Sequence, residues 1–214
     1  WIDPHELHSW FKNRALSAGV KFVTDDGRNC RKADKTIIAA GCWSGEVGKH
    51  FGVDIPVKGH KHTVFTVTTE KEVRSWWPLV ADLITGVYLR PEGKGYIVGF
   101  DGNGEWGATD LEPDYRTWDT VWEKLYHRFP GVFDAAKYTG GWSGYYDAST
   151  IDQNAIIDAH EDVLFATGFT GRGLMHSPAV GLSLSEMVLG KRKTTFDLSS
   201  YKLNRTPNPE KYVI

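Results

Sequence analysis

The chain has 214 residues, of which 41% are hydrophobic and 24% are charged. Its 25 lysines and arginines nearly balance its 27 aspartates and glutamates, so the charge indicates neither a nucleic-acid partner nor an anionic membrane surface. The sequence has no run of about 18 apolar residues and predicts no transmembrane segment, and the spacing of Cys30 and Cys42 predicts reduced thiols and no metal site.

The first half of the chain contains one helix signal and several strand signals. Asp3 followed by Pro4 predicts a helix start, and Gly19 predicts its end, with an apolar stripe that we expect to cover a sheet. Residues 36–40 are small and apolar, which predicts a buried strand of the parallel type. Residues 57–100 are rich in alternating β-branched and aromatic side chains, which predicts a mostly antiparallel sheet.

Residues 102–107 spell the dinucleotide-binding pattern G-x-G-x-x-G. The residues after Gly107 do not have a helical pattern, and Asp101, Glu105 and Asp110 would repel a pyrophosphate, so we interpret the segment as a hairpin turn. A helical spacing of apolar residues follows at 118–129 and ends at Pro130.

A second glycine-rich segment follows the apolar strand at residues 163–167 and runs from Gly168 to Gly173. After Pro178, small residues predict a helix over 179–189 that ends at Gly190. Glycine permits positive φ, and the first N–H groups of a helix carry partial positive charge, so the loop predicts an electron-rich ligand. The alternative is a strand-to-helix turn in which glycine serves only close packing.

The sequence Gly168-Phe169-Thr170-Gly171-Arg172-Gly173 closely resembles the carboxy-terminal flavin loop of the D-amino-acid oxidase and sarcosine oxidase superfamily of FAD-dependent oxidoreductases. Three further motifs of the family stand earlier in the chain, in the family's order, at residues 36–44, 86–91 and 142–147. Within the superfamily, residues 152–154 and 196–199 are most similar to the subgroup that contains the mitochondrial oxidoreductase-like assembly factors of respiratory complex I.

The resemblance implies an α/β chain, α+β overall, in which a partial doubly wound FAD-binding domain is interleaved with a mixed, mostly antiparallel substrate-domain sheet. We expect FAD-binding segments at 1–56 and 140–214 and the substrate domain at 57–139. The family's amino-terminal strand-glycine-helix fingerprint is not found in this sequence. A strand and hairpin usual in the family are also missing near residues 20–24, which predicts an interruption or a shortening there.

The resemblance also implies a non-covalent FAD, with these cofactor-binding residues: Ala40, Gly41, Trp43, Gly168, Phe169, Thr170, Gly171, Arg172, Gly173, Leu174 and Met175. We expect the loop N–H groups to be unpaired and to face a cleft. Without the amino-terminal fingerprint, we expect the isolated chain to bind FAD weakly or not at all. Arg172 either adds charge at the reduced flavin or is a solvated loop arginine. Met175 stands where oxidases of small amino acids often carry a lysine.

The catalytic residues are not fixed by the sequence, and the candidates on the substrate side are Tyr88, Arg90 and His62. Arg90 either clamps a substrate carboxylate or forms a surface ion pair. His60 and His62 share one side of a predicted strand but lack a third ligand, so a histidine pair is favoured over a zinc site.

The implied reaction is oxidation of a C–N bond of an amine or amino acid by hydride transfer to flavin. Activity would need the missing amino-terminal half, either in the same protein or on a partner chain. The first alternative is a catalytically inactive assembly or scaffold subunit. A second is an aromatic-rich binding module suggested by nine tryptophans, although core packing explains most of them. The compartment stays open between cytoplasm and mitochondrial matrix.

Overall fold

The computed structural model describes residues 2–107, 109–191 and 194–209. The chain divides into two compact units, Trp1–Arg31 and Lys32–Ile214. Among the described residues no helix is long and apolar enough to cross a membrane.

The first unit contains helix α1, Pro4–Ser17. The start and end are confirmed, since the Asp3 carboxylate accepts the N–H groups of His5 and Glu6, and Gly19 has φ 88°. None of the residues of α1 is buried, and the described part of this unit has no strand, so the expectation that its apolar stripe covers a sheet stays a prediction.

The second unit contains two sheets, and the smaller has three strands in the order β1-β9-β8. Their bounds are β1 Thr36–Ile38, β8 Ile156–His160 and β9 Val163–Thr167. Strand β1 is parallel to β9, as predicted, and β8 is antiparallel to β9. The prediction of a fully buried strand over residues 36–40 is wrong. Because β1 is at the edge of the sheet, Ile38 is buried while Ile37 is 46% exposed.

The larger sheet has six strands, all paired in antiparallel fashion as expected. The strands are β2 Val57–Thr68, β3 Val80–Ala81, β4 Val87–Glu92, β5 Gly95–Phe100, β6 Glu105–Trp106 and β7 Lys137–Ser149. Strand β7 pairs with β2 along its whole length. Helix α3, Trp118–Arg128, buries Val121 and Leu125 in the core of this sheet and confirms the helical spacing in the sequence.

The interpretation of residues 102–107 as a hairpin turn is wrong. Strand β5 pairs with residues 64–67 of β2, and β6 continues in the same direction along the same edge, at residues 60–61. The segment is therefore an excursion between two collinear strands. A Cβ at Gly104 would lie 2.2 Å from the His60 ring, so glycine is required where the chain passes over that ring. Residues 109–114 form no helix.

Helix α2, Ser44–His50, follows β1, and helix α4, Gly173–Val188, follows β9. The predicted start of this helix at residue 179 is wrong, because α4 begins at Gly173 and passes through Pro178. Proline lacks the N–H that would bond to the carbonyl of Leu174. The Ser177 hydroxyl donates to that carbonyl at 2.9 Å instead. The predicted end at Gly190 is confirmed by its φ of 69°.

Tryptophan packing follows the sequence expectation in only part of the chain. Trp77, Trp118 and Trp122 pack against the core of the larger sheet. The exposed tryptophans of the described residues are Trp10, Trp43, Trp76, Trp106 and Trp142. Neither Cys30 nor Cys42 forms a disulfide within the described part of the chain.

Strand β7 runs across the domain boundary expected between residues 139 and 140. Its partner β2 belongs to the segment assigned to the substrate domain. The division into 1–56, 57–139 and 140–214 stays a prediction.

Candidate functional site

The loop between β9 and α4 has an unusual backbone conformation. Gly168, Thr170 and Gly171 have φ values of 77°, 50° and 82°. Such values are rare for a β-branched residue, so Thr170 must be held by its surroundings. Its hydroxyl donates to the carbonyl of Gln153 at 2.8 Å, and its N–H donates to the carbonyl of Asp147 at 3.0 Å. The loop is therefore fixed against strand β7 and the turn that follows it.

The side chain of Asp147 brings two predicted cofactor segments together. Its carboxylate accepts the Gly168 N–H at 2.7 Å and lies 3.4 Å from the Thr167 hydroxyl. The same hydroxyl lies 3.0 Å from the carbonyl of Gly41, to which it donates. Gly41 and the start of the glycine loop therefore meet beside Asp147.

The expectation of unpaired loop N–H groups is wrong for three of them. The N–H groups of Gly168 and Thr170 are held by Asp147, and that of Arg172 donates to the Phe169 carbonyl at 3.1 Å. Residues 168–170 use these bonds to adopt the positive-φ turn. The site that remains for a ligand is therefore smaller than the whole loop.

The remaining donors lie at the helix end of the loop. No described residue accepts the N–H of Gly171, and the first-turn N–H groups of α4, which include those of Gly173 and Leu174, have no intrahelical acceptor. Leu174 and Met175 are 52% and 71% exposed. Bare N–H groups at the start of a 16-residue helix fit the electron-rich edge of a flavin ring.

Tyr146 of β7 connects this end of the loop to two of the catalytic candidates. A Cβ on Gly171 would lie 2.7 Å from Tyr146 Cζ, so glycine allows the backbone to rest on the ring. Two of the catalytic candidates lie beside the same side chain: His62 stacks on the ring with centroids 4.3 Å apart, and the Tyr88 and Tyr146 hydroxyls are close enough for each to influence the pKa of the other. Tyr88 itself lies over Gly99, where a Cβ would be 2.0 Å from Tyr88 Cζ.

His62, Tyr88 and Tyr146 are uncharged at neutral pH. Burial, together with repulsion from His60, lowers the pKa of His62 to about 4. Burial raises the pKa values of the Tyr88 and Tyr146 hydroxyls above their usual range. His62 Nε2 lies 3.0 Å from His60 Nδ1, so the two rings form the expected histidine pair. No group of three potential metal ligands was found among the described residues.

The two arginine candidates have partners within the chain. Arg90 forms an ion pair with Glu92 on the same strand, which matches the surface ion-pair alternative. The guanidinium of Arg172 donates to the carbonyls of Gln153 and Phe169 at 3.2 and 3.4 Å. The solvated-loop alternative for Arg172 is therefore wrong.

Ala40 and Trp43 lie close to Gly41, which contacts the start of the glycine loop through the Thr167 hydroxyl. Ala40 is half-buried, whereas Trp43 is 58% exposed and contacts the ring of Tyr145 edge-on, with centroids 6.5 Å apart. The assignment of both residues to cofactor binding stays a prediction.

A buried ion pair near the loop was missed in the sequence. Arg205 binds both carboxylate oxygens of Asp152, at 2.9 and 2.5 Å, and both side chains are at most 5% exposed. Arg205 also donates to the Asn154 carbonyl at 2.9 Å, so it holds the turn on both sides of Gln153. The motif at 152–154 marked this turn, but no local pattern points to a partner 53 residues later.

Comparison with known proteins identifies the family of the chain as the FAD-dependent oxidoreductases of the DAO type. Residues 1–187 match the family described as "DAO: FAD dependent oxidoreductase". FAD-dependent oxidoreductase domain-containing protein 1 of Xenopus laevis is 30% identical over an aligned length of 264 residues, covering 96% of this chain and 52% of the relative. Monomeric sarcosine oxidase of Bacillus sp. (strain B-0618) is 26% identical, covering 87% and 50%.

Solved structures show the same fold. Glycine oxidase of Geobacillus kaustophilus superposes with a TM-score of 0.66 at 21% identity, covering 82% of this chain and 46% of that structure. The chain thus spans about half the length of the proteins that it matches. The aligned length of 264 residues exceeds the 214 residues of this chain, so the Xenopus laevis relative has insertions with respect to it.

Proposed function

Because the chain belongs to the DAO family of FAD-dependent oxidoreductases, we propose that it forms the flavin-loop and substrate-side portion of an enzyme that oxidises a C–N bond of an amine or amino acid. The observation that carries the proposal is the position of Tyr146 and Asp147 on β7. Asp147 holds the start of the glycine loop, and Tyr146 joins its helix end to Tyr88 and His62. Cofactor loop and substrate-side candidates are therefore adjacent.

FAD fits the donors that remain at the loop, and once bound it would accept a hydride from the carbon next to the amine nitrogen, leaving an imine that water hydrolyses. The N–H groups of Gly171, Gly173 and Leu174 would bind its electron-rich pyrimidine edge, where negative charge develops on reduction. The glycines permit close backbone approach at that edge.

The residues beside Tyr146 would then bind and orient the substrate. With raised pKa values, the Tyr88 and Tyr146 hydroxyls remain hydrogen-bond donors at neutral pH. The neutral His62 ring contributes no positive charge. Arg90 is paired with Glu92, and Met175 stands where oxidases of small amino acids often carry a lysine. These two residues therefore favour an amine over a substrate that depends on a carboxylate clamp.

The experiment is anaerobic reduction of bound FAD by a panel of amines and amino acids, followed as loss of the visible flavin absorbance. The protein is this chain preceded by the amino-terminal half of a family member. Secondary amines without a carboxylate, such as N-methylbenzylamine, should bleach the flavin faster than sarcosine, which carries one. Tyr88→Phe removes one hydroxyl, keeps the ring, and should slow bleaching about tenfold or more. Tyr126→Phe, on exposed α3 surface, is the matched control and should leave the rate unchanged.

One observation favours the scaffold alternative: three N–H groups of the loop already form hydrogen bonds within the chain and are not available to a flavin. A protein that binds FAD but is bleached by no amine or amino acid would support that alternative and contradict the proposed oxidation.

A further inference from the structure

A cavity of about 560 Å³ lies where three distant segments of the chain meet. It is lined by Lys58 of β2, by Trp106 at the end of β6, by residues 149–153 at the end of β7 and in the turn that follows, and by Pro209. Its described lining includes none of the residues 171–175, where the flavin is proposed to bind. Cavities of this size accept small organic molecules.

The chain beside Pro209 is held in place by hydrogen bonds to the turn after β7. The Asn208 N–H donates to Asp152 Oδ2 at 3.1 Å, and the Asn208 carbonyl accepts the side-chain amide of Asn154 at 2.7 Å. The Asp152 carboxylate is fully buried and is paired with Arg205. The turn and the segment that ends at Pro209 therefore form a fixed wall, and Asp152 presents no uncompensated negative charge to the cavity.

Lys58 gives the cavity one unbalanced positive charge. Lys58 and Asp152 are the two charged residues of the described lining, and Asp152 is neutralised by Arg205. The Lys58 ammonium has no ion-pair or hydrogen-bond partner among the described residues, and neither has the side-chain amide of Gln153. An ammonium and an amide N–H are both donors, so the polar groups that remain available suit an anion.

Trp106 gives the cavity a flat aromatic surface. One face of its ring stacks on His60, with centroids 4.5 Å apart and planes 22° from parallel, yet the residue is 45% exposed. Because one face is covered, this exposure comes mainly from the other face and the ring edge. Lys58 precedes His60 by two positions in the regularly paired part of β2, so both side chains leave the strand on the same side, about 7 Å apart. The ammonium and the open face of the indole are therefore close enough to contact one small molecule.

We propose that this cavity binds a flat aromatic carboxylate. The carboxylate pairs with the Lys58 ammonium and accepts a hydrogen bond from the Gln153 amide, while the aromatic ring lies on Trp106. A single lysine balances one negative charge, which matches a carboxylate better than a phosphate monoester, whose charge is about −1.5 to −2. The site does not depend on oxidase activity.

The test is isothermal titration calorimetry of the full chain with 2-naphthoate and with its neutral analogue 2-naphthamide. We expect both probes to bind, with 2-naphthoate the tighter. Lys58→Met should weaken 2-naphthoate about fivefold, as for a partly exposed ion pair, and should leave 2-naphthamide unchanged. Lys49→Met is the matched control, because Lys49 lies on α2 and does not line this cavity, and it should alter neither affinity.

Two further variants test the contacts separately. Gln153→Glu adds a negative charge to the lining and should weaken 2-naphthoate while leaving 2-naphthamide unchanged, whereas Trp106→Leu should weaken both probes about fivefold. The proposal would be overturned by equal 2-naphthoate affinities of Lys58→Met and Lys49→Met, or by the absence of binding by both probes. Tighter binding of 2-naphthyl phosphate than of 2-naphthoate would contradict the assignment to a carboxylate.

Discussion

At the residue scale, Gly171 and Tyr146 do most to connect the two halves of the candidate site. Gly171 has φ 82° and rests on the Tyr146 ring, so its identity is required by backbone conformation and by space. Tyr146 in turn contacts His62 and Tyr88. The sequence marked all four residues, but it marked Tyr146 only as part of the motif at residues 142–147, because its ring partners lie on strands far away in the chain.

Gly171→Ala should destabilise the chain and loosen the loop. The new Cβ would clash with Tyr146 and would hold alanine at positive φ, and together these should lower the free energy of unfolding by about 1–3 kcal/mol. Urea unfolding measures the change. Gly144→Ala is the matched control, because no atom lies within 4 Å of its added Cβ, and it should be neutral or slightly stabilising. Equal stability of the two variants would contradict the contact between loop and ring.

His62 should make the stability of the chain depend on pH. Its pKa is about 4 in the folded chain and about 6.5 when unfolded, so the unfolded state takes up a proton first as pH falls. The contribution of the neutral His62 ring to the free energy of unfolding is fully present above pH ~6.5. It is lost as pH falls towards about 4, and the loss amounts to ~3 kcal/mol.

The measurement compares the free energy of unfolding at several pH values for the unmodified chain and for His62→Gln. The variant should lose less stability than the unmodified chain over that range. His127→Gln, on the exposed surface of α3, is the control and should follow the unmodified chain. Parallel pH curves for His62→Gln and the unmodified chain would show that His62 titrates normally.

At the element scale, β7 is the strand that organises the site. It pairs with β2 along its length, carries Tyr146 and Asp147, and leads into the turn that holds Thr170. The family motifs in the sequence located β7 and the loop, and the antiparallel sheet and α3 followed from their patterns. The start of α4 could not be predicted, because Ser177 replaces the bond that Pro178 removes. The course of residues 102–107 depends on pairing with β2, which local sequence does not specify.

The ion pair of Asp152 and Arg205 should hold the turn that supports the loop. Arg205→Met leaves a buried carboxylate without its partner and should lower the free energy of unfolding by about 3–5 kcal/mol. Thermal or urea unfolding measures the loss. Arg116→Met removes an exposed arginine from its pair with Asp114 and should cost about 1 kcal/mol or less. A similar small loss for both variants would contradict a structural role for the buried pair.

At the scale of the whole molecule, the chain spans about half the length of the flavoenzyme relatives that it matches. In the proposed function, its glycine loop would supply N–H groups for one end of FAD, whereas in the resembling family the fingerprint that binds the ADP portion lies in the amino-terminal half. Losing about 4 kcal/mol of contacts weakens binding about a thousandfold. The proposed function therefore requires both halves.

FAD titration tests this most directly, with affinity measured by flavin fluorescence for the 214-residue chain and for the chain preceded by a family amino-terminal half. We expect weak or no binding by the chain alone and binding at least about a thousandfold tighter when the half is restored. Gly173→Ala, whose Cβ meets only ordinary contacts within the chain, should fold normally yet weaken that restored binding. Tight binding by the short chain alone, or no binding by either protein, would contradict the account.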